Sequence, residues 1–172
     1  RYWLQMTGHK ELSRRCIALA LSQRRNGLIP GVCPYDGRPR LVLYPTNLFL
    51  PLILQDYLAY TGERDYVEMF LEEVSEIVEK CASYSDAKGL LSPPKEYWNF
   101  VDWSFDENGV LLSGRNTCVV NWFYVLTLDA LAELYQPVDA SKAVAYRRRA
   151  GQIADTIEQV FWNPQKQCFI EY

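Results

Sequence analysis

Apolar residues recur along Glu11–Arg24 at the spacing of one helical face, where Leu12, Cys16, Leu19, Ala20 and Gln23 form a stripe and Arg14, Arg15 and Ser22 lie elsewhere. Asp65–Cys81 shows the pattern more clearly, setting Tyr66, Phe70, Val74, Ile77, Val78 and Cys81 against Glu68, Glu72, Glu76, Glu79 and Lys80. In Lys142–Trp162 the stripe is Ala143, Tyr146, Ala150, Ile153, Ile157 and Val160. Each of these segments predicts a surface helix with one wet face. Between them, Asn47–Tyr60 and Thr117–Tyr135 carry Leu, Phe, Ile, Val and Trp around nearly the whole helical wheel, and a helix apolar all round is expected to be buried on all sides. Pro51 fits this reading if Thr46 or Asn47 is the N-cap, because the proline then falls near the first turn. Gly27 and Gly89 are expected to stop the amphipathic helices that precede them.

The order is therefore outer, inner, outer, inner, outer, with short turns on one rim and two long connections on the other. Internal repetition agrees with it. Tyr2-Trp3-Leu4-Gln5-Met6-Thr7-Gly8 returns as Asp56-Tyr57-Leu58-Ala59-Tyr60-Thr61-Gly62. Each copy leads through a helix-like stretch to a Gly-Leu-aliphatic turn, Asn26-Gly27-Leu28-Ile29-Pro30 in one and Lys88-Gly89-Leu90-Leu91-Ser92-Pro93 in the other. A weaker third copy runs from Leu131-Ala132-Glu133-Leu134-Tyr135 to Gln167-Cys168-Phe169-Ile170. The repeated unit is a helical hairpin, and alternating inner and outer helices predict an all-α single domain over residues 1–172 built as concentric layers. A plain bundle or a superhelical solenoid also stacks helix pairs and remains open. Arg1 falls at the end of a helix whose beginning is missing and Tyr172 directly follows a turn, so the chain is expected to be a fragment of a larger repeat protein.

Composition narrows the chemistry. With 49% apolar and 23% charged residues the chain has the balance of an ordinary globular domain. A net charge of −3 with a pI near 5.3 argues against nucleic acid, which needs a concentrated basic surface. Arg147-Arg148-Arg149 reads as a solvated helix face. The apolar stretches around Leu48–Leu58 and Val119–Leu131 are too short or too interrupted to span a bilayer, so no membrane partner is expected. Cys16, Cys33, Cys81, Cys118 and Cys168 are odd in number and mostly lie in apolar patterns, which favours a reducing, cytoplasmic setting. His9 is the single histidine and no cysteine pair has zinc-ligand spacing, so neither a metal site nor a cofactor is expected.

Aromatic residues make up 14% of the chain, more than a core requires, which fits a protein that lines a groove with flat faces, although most of these rings also serve to brace helix contacts. The long connections Gly31–Pro45 and Ser92–Arg115 both lead into buried helices and so sit at one mouth, where long ordered loops carry function. The second contains Trp98-Asn99-Phe100-Val101-Asp102-Trp103, two indoles, an amide and a carboxylate in six residues. Hydroxyls of a sugar need fixed acceptors and its apolar faces need aromatic platforms, so Asp102, Trp103 and Trp98 are the candidate substrate-binding residues. The plainer alternative makes the indoles plugs between loop and barrel and Asp102 a turn or cap residue.

Trp98–Trp103, followed by Asn121-Trp122-Phe123-Tyr124, Leu128-Asp129-Ala130-Leu131-Ala132-Glu133-Leu134, then Tyr146, Ala150 and Phe161-Trp162-Asn163-Pro164, resembles the catalytic domain of bacterial α-L-rhamnosidases. Ser22-Gln23, Asn26-Gly27-Leu28-Ile29-Pro30 and the Tyr60-Thr61-Gly62-Glu63 junction match in the same order. The resemblance implies a partial (α/α)6 toroid, about half of the ring, from a glycoside hydrolase that removes terminal α-L-rhamnosyl groups with inversion, one carboxyl acting as acid and another as base. It also implies that the acid lies in an acidic loop upstream of Arg1 and the base in a later hairpin, so no catalytic residue is assigned within this chain. Where the family commonly carries a Trp before the first inner helix, this chain reads Tyr44-Pro45-Thr46-Asn47-Leu48, with Tyr44 as a substitute stacking face.

Other readings are another six-hairpin carbohydrate enzyme, such as a glucosidase or epimerase, or a carbohydrate-binding or structural helical module without catalysis. Glu96, Asp102, Asp106 and Glu107 offer carboxyls locally, but neighbours in sequence rarely face each other across a sugar. An open ring also exposes the flanks of its inner helices, which predicts homo-oligomers or poor solubility of the chain made alone.

Overall fold

The computed structural model describes residues 6–34, 42–101 and 117–171. Its helices are α1 (Lys10–Ser22), α2 (Tyr44–Leu48), α3 (Leu50–Thr61), α4 (Arg64–Ala82), α5 (Cys118–Tyr135) and α6 (Ala140–Phe161). One short hairpin follows, β1 (Trp162–Asn163) paired antiparallel with β2 (Cys168–Phe169). The fold is all-α in the sense expected, a part of a toroid in which α2–α3 and α5 are the inner layer and α1, α4 and α6 the outer.

The outer helices α4 and α6 bury the faces their periodicity predicts. On α4 these include Tyr66, Val74, Ile77, Val78 and Cys81, and on α6 Ala143, Ala150, Ile153 and Ile157. Asp139 caps α6, accepting from the backbone N–H groups of Ser141 and Lys142. Gly62 adopts φ +68, a left-handed conformation that a side chain would resist, and its N–H closes α3 on the Leu58 carbonyl at 2.8 Å. Gly8 shares that φ of +68, and Gly27 and Gly89 pair at +85 and +83, so the repeat holds in the backbone as well as in the letters.

Several expectations are corrected. The first inner helix starts at Tyr44 with Leu43 as its extended N-cap, not at Thr46 or Asn47, and it breaks at Phe49. Pro51 has no N–H to donate to the carbonyl four residues back, so the chain restarts as α3 with that proline in its first turn. Helices α1 and α4 end at Ser22 and Ala82, several residues before Gly27 and Gly89, which serve instead in the turns beyond.

The face of α1 is also different. Ile17 and Leu21 are buried, whereas Leu12 and Leu19 are 49% and 42% exposed and Cys16 is exposed. Leu12, Cys16 and Ala20 instead line a groove of about 370 Å³ shared with Leu50, Ile53, Leu54, Tyr57 and Tyr60 of α3. Inner helices are thus not covered on every side: Ile53 and Tyr60 on α3 and Leu126 on α5 stay 46%, 44% and 51% exposed, the open flanks that a partial ring leaves. Cys118–Tyr135 is, by length and composition, able to cross a bilayer, which corrects the reading of Val119–Leu131 as too short. It is 67% buried within the fold, as a core helix is. Arg147 and Arg148 are exposed as expected, while Arg149 donates to both carboxylate oxygens of Glu79 at 3.0 Å and ties α6 to α4.

Candidate functional site at the mouth

Both inner helices begin, and both α4 and α6 end, at one rim. The long connections meet there as the sequence predicts, joined by a parallel bridge between Leu43 and Trp98. The Trp98 N–H donates to the Val42 carbonyl at 3.0 Å and its carbonyl accepts from the Tyr44 N–H at 3.1 Å. Trp98 is therefore fixed by its backbone, half-buried, with its indole tilted against Phe100 at 5.2 Å between ring centres. Of the predicted substrate-binding residues, Trp98 alone falls among the described residues. Asp102 and Trp103 lie outside them, as do Asp106 and Glu107.

Tyr44 is not a stacking face. It is fully buried, its hydroxyl donates to the Cys81 carbonyl at 2.7 Å, and its ring meets Tyr84 edge-on at 6.3 Å. Tyr84 in turn packs on Tyr97 at 5.8 Å, with the two hydroxyls 3.3 Å apart. That hydroxyl contact, with burial added, pushes the Tyr97 phenol up to about 12, so it stays neutral and hydrogen-bonding at physiological pH. This aromatic column underlies the connection that carries Trp98.

Sequence reading missed three polar residues of this rim. Asn47 and Asn121, both fully buried, lie on the first turns of the two inner helices. Glu171 accepts from the Cys118 and Val119 N–H groups at 2.8 and 2.9 Å and so caps α5, for which Thr117 supplies no side-chain bond. Burial, with the Glu171 carboxylate second, pushes the Cys118 thiol up to about 11. The recurrence of Asn just inside each inner helix was a readable signal, whereas a cap from a residue 53 positions away was not.

Near that cap the rings of Trp122, Phe169 and Trp162 meet edge-on at 5.6 and 5.1 Å, with Trp162 and Phe169 partly open to solvent. The rim thus offers aromatic faces, which suit the apolar faces of a sugar, while the Asn47 and Asn121 amides are buried and bonded to backbone. Among the described residues no group of three His, Cys, Asp or Glu side chains is arranged to hold a metal ion.

Residues 4–171 match the family model of the bacterial alpha-L-rhamnosidase 6 hairpin glycosidase domain. Among solved structures, the chain superposes on a rhamnosidase from Klebsiella oxytoca with rhamnose bound at a TM-score of 0.77 and 20% identity, covering 96% of this chain and 32% of that one. A GH78 family rhamnosidase of Bacillus sp. GL1 gives a TM-score of 0.77 and 24% identity, covering 95% of this chain and 17% of that one. Comparison with curated proteins gives no match. The chain thus spans less than a third of each of these solved relatives, and their likeness extends to the fold. The family match over nearly its whole length makes the chain a member of the bacterial α-L-rhamnosidase six-hairpin glycosidase domain family.

Proposed function

We propose that the protein is a glycoside hydrolase that removes terminal α-L-rhamnosyl residues with inversion, and that this chain supplies part of the sugar-binding wall of the toroid. The observation that carries this reading is the family match over residues 4–171. The rhamnose bound in the Klebsiella oxytoca relative supports the choice of sugar, and the gathering of two long connections at the inner-helix N-termini supports the mouth as its place.

In this reading Trp103 and Trp98 stack on the pyranose and Asp102 accepts from its hydroxyls. The catalytic acid and base come from other hairpins, held roughly 6.5–9.5 Å apart so that a water fits opposite the leaving group. All five cysteines are free, which supports the cytoplasmic assignment.

The test is hydrolysis of p-nitrophenyl α-L-rhamnoside by the full-length protein, with NMR of the first-formed anomer to read the stereochemistry. A hydrogen bond to a charged acceptor is worth roughly 1.5–3 kcal/mol, so Asp102→Asn is expected to lower kcat/KM by about 10- to 150-fold without an equivalent loss of Tm. Parallel loss of Tm and turnover would make Asp102 a structural residue.

A further inference from the structure

Asn47 and Asn121 make the same set of bonds at equivalent places in the repeat. The Asn47 Oδ1 accepts from the Ile29 N–H at 2.8 Å, while its Nδ2 donates to the carbonyls of Ile29 at 3.4 Å and Leu43 at 3.2 Å. The Asn121 Oδ1 accepts from the Leu91 N–H at 2.7 Å, while its Nδ2 donates to the carbonyls of Leu91 at 3.3 Å and Thr117 at 2.9 Å. Ile29 and Leu91 are the last residues of the two Gly-Leu-aliphatic turns, where the long connections start. Leu43 and Thr117 are the N-caps of the inner helices, where those connections end. Each amide therefore ties both ends of one mouth loop to the helix that follows it.

We propose that Asn47 and Asn121 are positioning residues that staple the two mouth loops at their bases, and that Asn121 acts on substrate through Trp98, which its loop carries. The inference rests on the function proposed above. An amide suits the task because it alone among the small side chains accepts one backbone bond and donates two at once. Full burial makes each bond costly to leave unmade. Closing a loop of this length also costs entropy, and a staple meets that cost before substrate arrives, which is the requirement for a preorganised wall. The staples reinforce each other: Leu43, held by Asn47, is bridged to Trp98, whose loop is held by Asn121.

The test compares Asn121→Ala and Asn121→Asp with Leu134→Ala in the full-length protein. Asp keeps the acceptor for Leu91 but turns a repelling oxygen on the Leu91 and Thr117 carbonyls. Leu134 is buried in the last turn of α5, at the opposite rim, and controls for simple loss of stability. Hydrogen exchange at the Trp98 amide, which is bonded to Val42 and not to Asn121, reads the loop itself. Both Asn121 variants are expected to speed that exchange by about tenfold, while Leu134→Ala at a similar fall in Tm does not. They are also expected to lower kcat/KM on the rhamnoside by about tenfold more than Leu134→Ala. Equal exchange in all variants would overturn the staple, and faster exchange with unchanged kcat/KM would overturn its role in turnover. Silence of the unaltered protein on every rhamnoside would instead count against the functional reading, leaving the exchange comparison to decide the staple.

Discussion

Glu63 gathers the Lys10 ammonium and the Tyr57 hydroxyl, with the Arg14 guanidinium at 3.8 Å, at the rim away from the mouth. Glu72 does the same with Lys142 and the Tyr135 hydroxyl, at 2.7 and 2.8 Å. Hydrogen bonding from the lysine, then from the tyrosine, holds both carboxyls below their ordinary value of 4.5. Because the folded values lie lower, the stabilisation is complete above about pH 4.5 and is lost as pH falls through those folded values. Tm measured from pH 7 down to 3 is expected to fall less steeply in the Glu63→Gln/Glu72→Gln double variant than in the parent; identical slopes would remove these carboxyls from the acid sensitivity. The thiols give a second residue-scale prediction. Cys16 and Cys168 are exposed, whereas burial pushes the Cys81 thiol up to about 12, so iodoacetamide at pH 8 should label the first two before Cys81 or Cys118. Early labelling of Cys81 would contradict its place in the core. Such roles were poorly legible in the sequence: Tyr44 reads as a sugar platform by position, and only its neighbours Cys81 and Tyr84 show that it is core.

At the scale of elements, hydrophobic periodicity found every long helix because each face is set by what lies beside it. It failed where that neighbour is missing. The Leu12, Cys16 and Ala20 positions of α1 have an apolar spacing but meet a groove, and Ile53 and Tyr60 of α3 form its other wall. Helix ends were less legible, since the break at Phe49 follows from one absent proline N–H and the α5 cap comes from Glu171, 53 residues away in sequence. The layering makes a quantitative prediction on a single helix. Leu128 of α5 is fully buried and Leu126 is 51% exposed on the open flank. Leu128→Ala should cost about 2–5 kcal/mol in denaturant unfolding, whereas Leu126→Ala should stay within about 0.5 kcal/mol. Equal costs would mean that Leu126 is covered and the flank closed.

For the whole molecule, the alternation of inner and outer helices and the repeated turns made the toroid readable, and the family match agrees. The site was legible only in outline. Trp98 is bridged to Leu43 beside the first inner helix, Asp102 and Trp103 fall outside the described residues, and the Asn staples emerge only when the two loop bases are seen together. The exposed flanks also predict behaviour of the chain made by itself: apolar surface on α1, α3 and α5 should drive copies together, and sedimentation is expected to show dimers or larger species. A clean monomer would mean that these faces are tolerated in water. The proposed rhamnoside hydrolysis is tested most directly by turnover of the full-length protein on a panel of nitrophenyl glycosides. Release of nitrophenol from α-L-rhamnoside well above that from the other sugars is the predicted result, and turnover of a different glycoside, or of none, would contradict it.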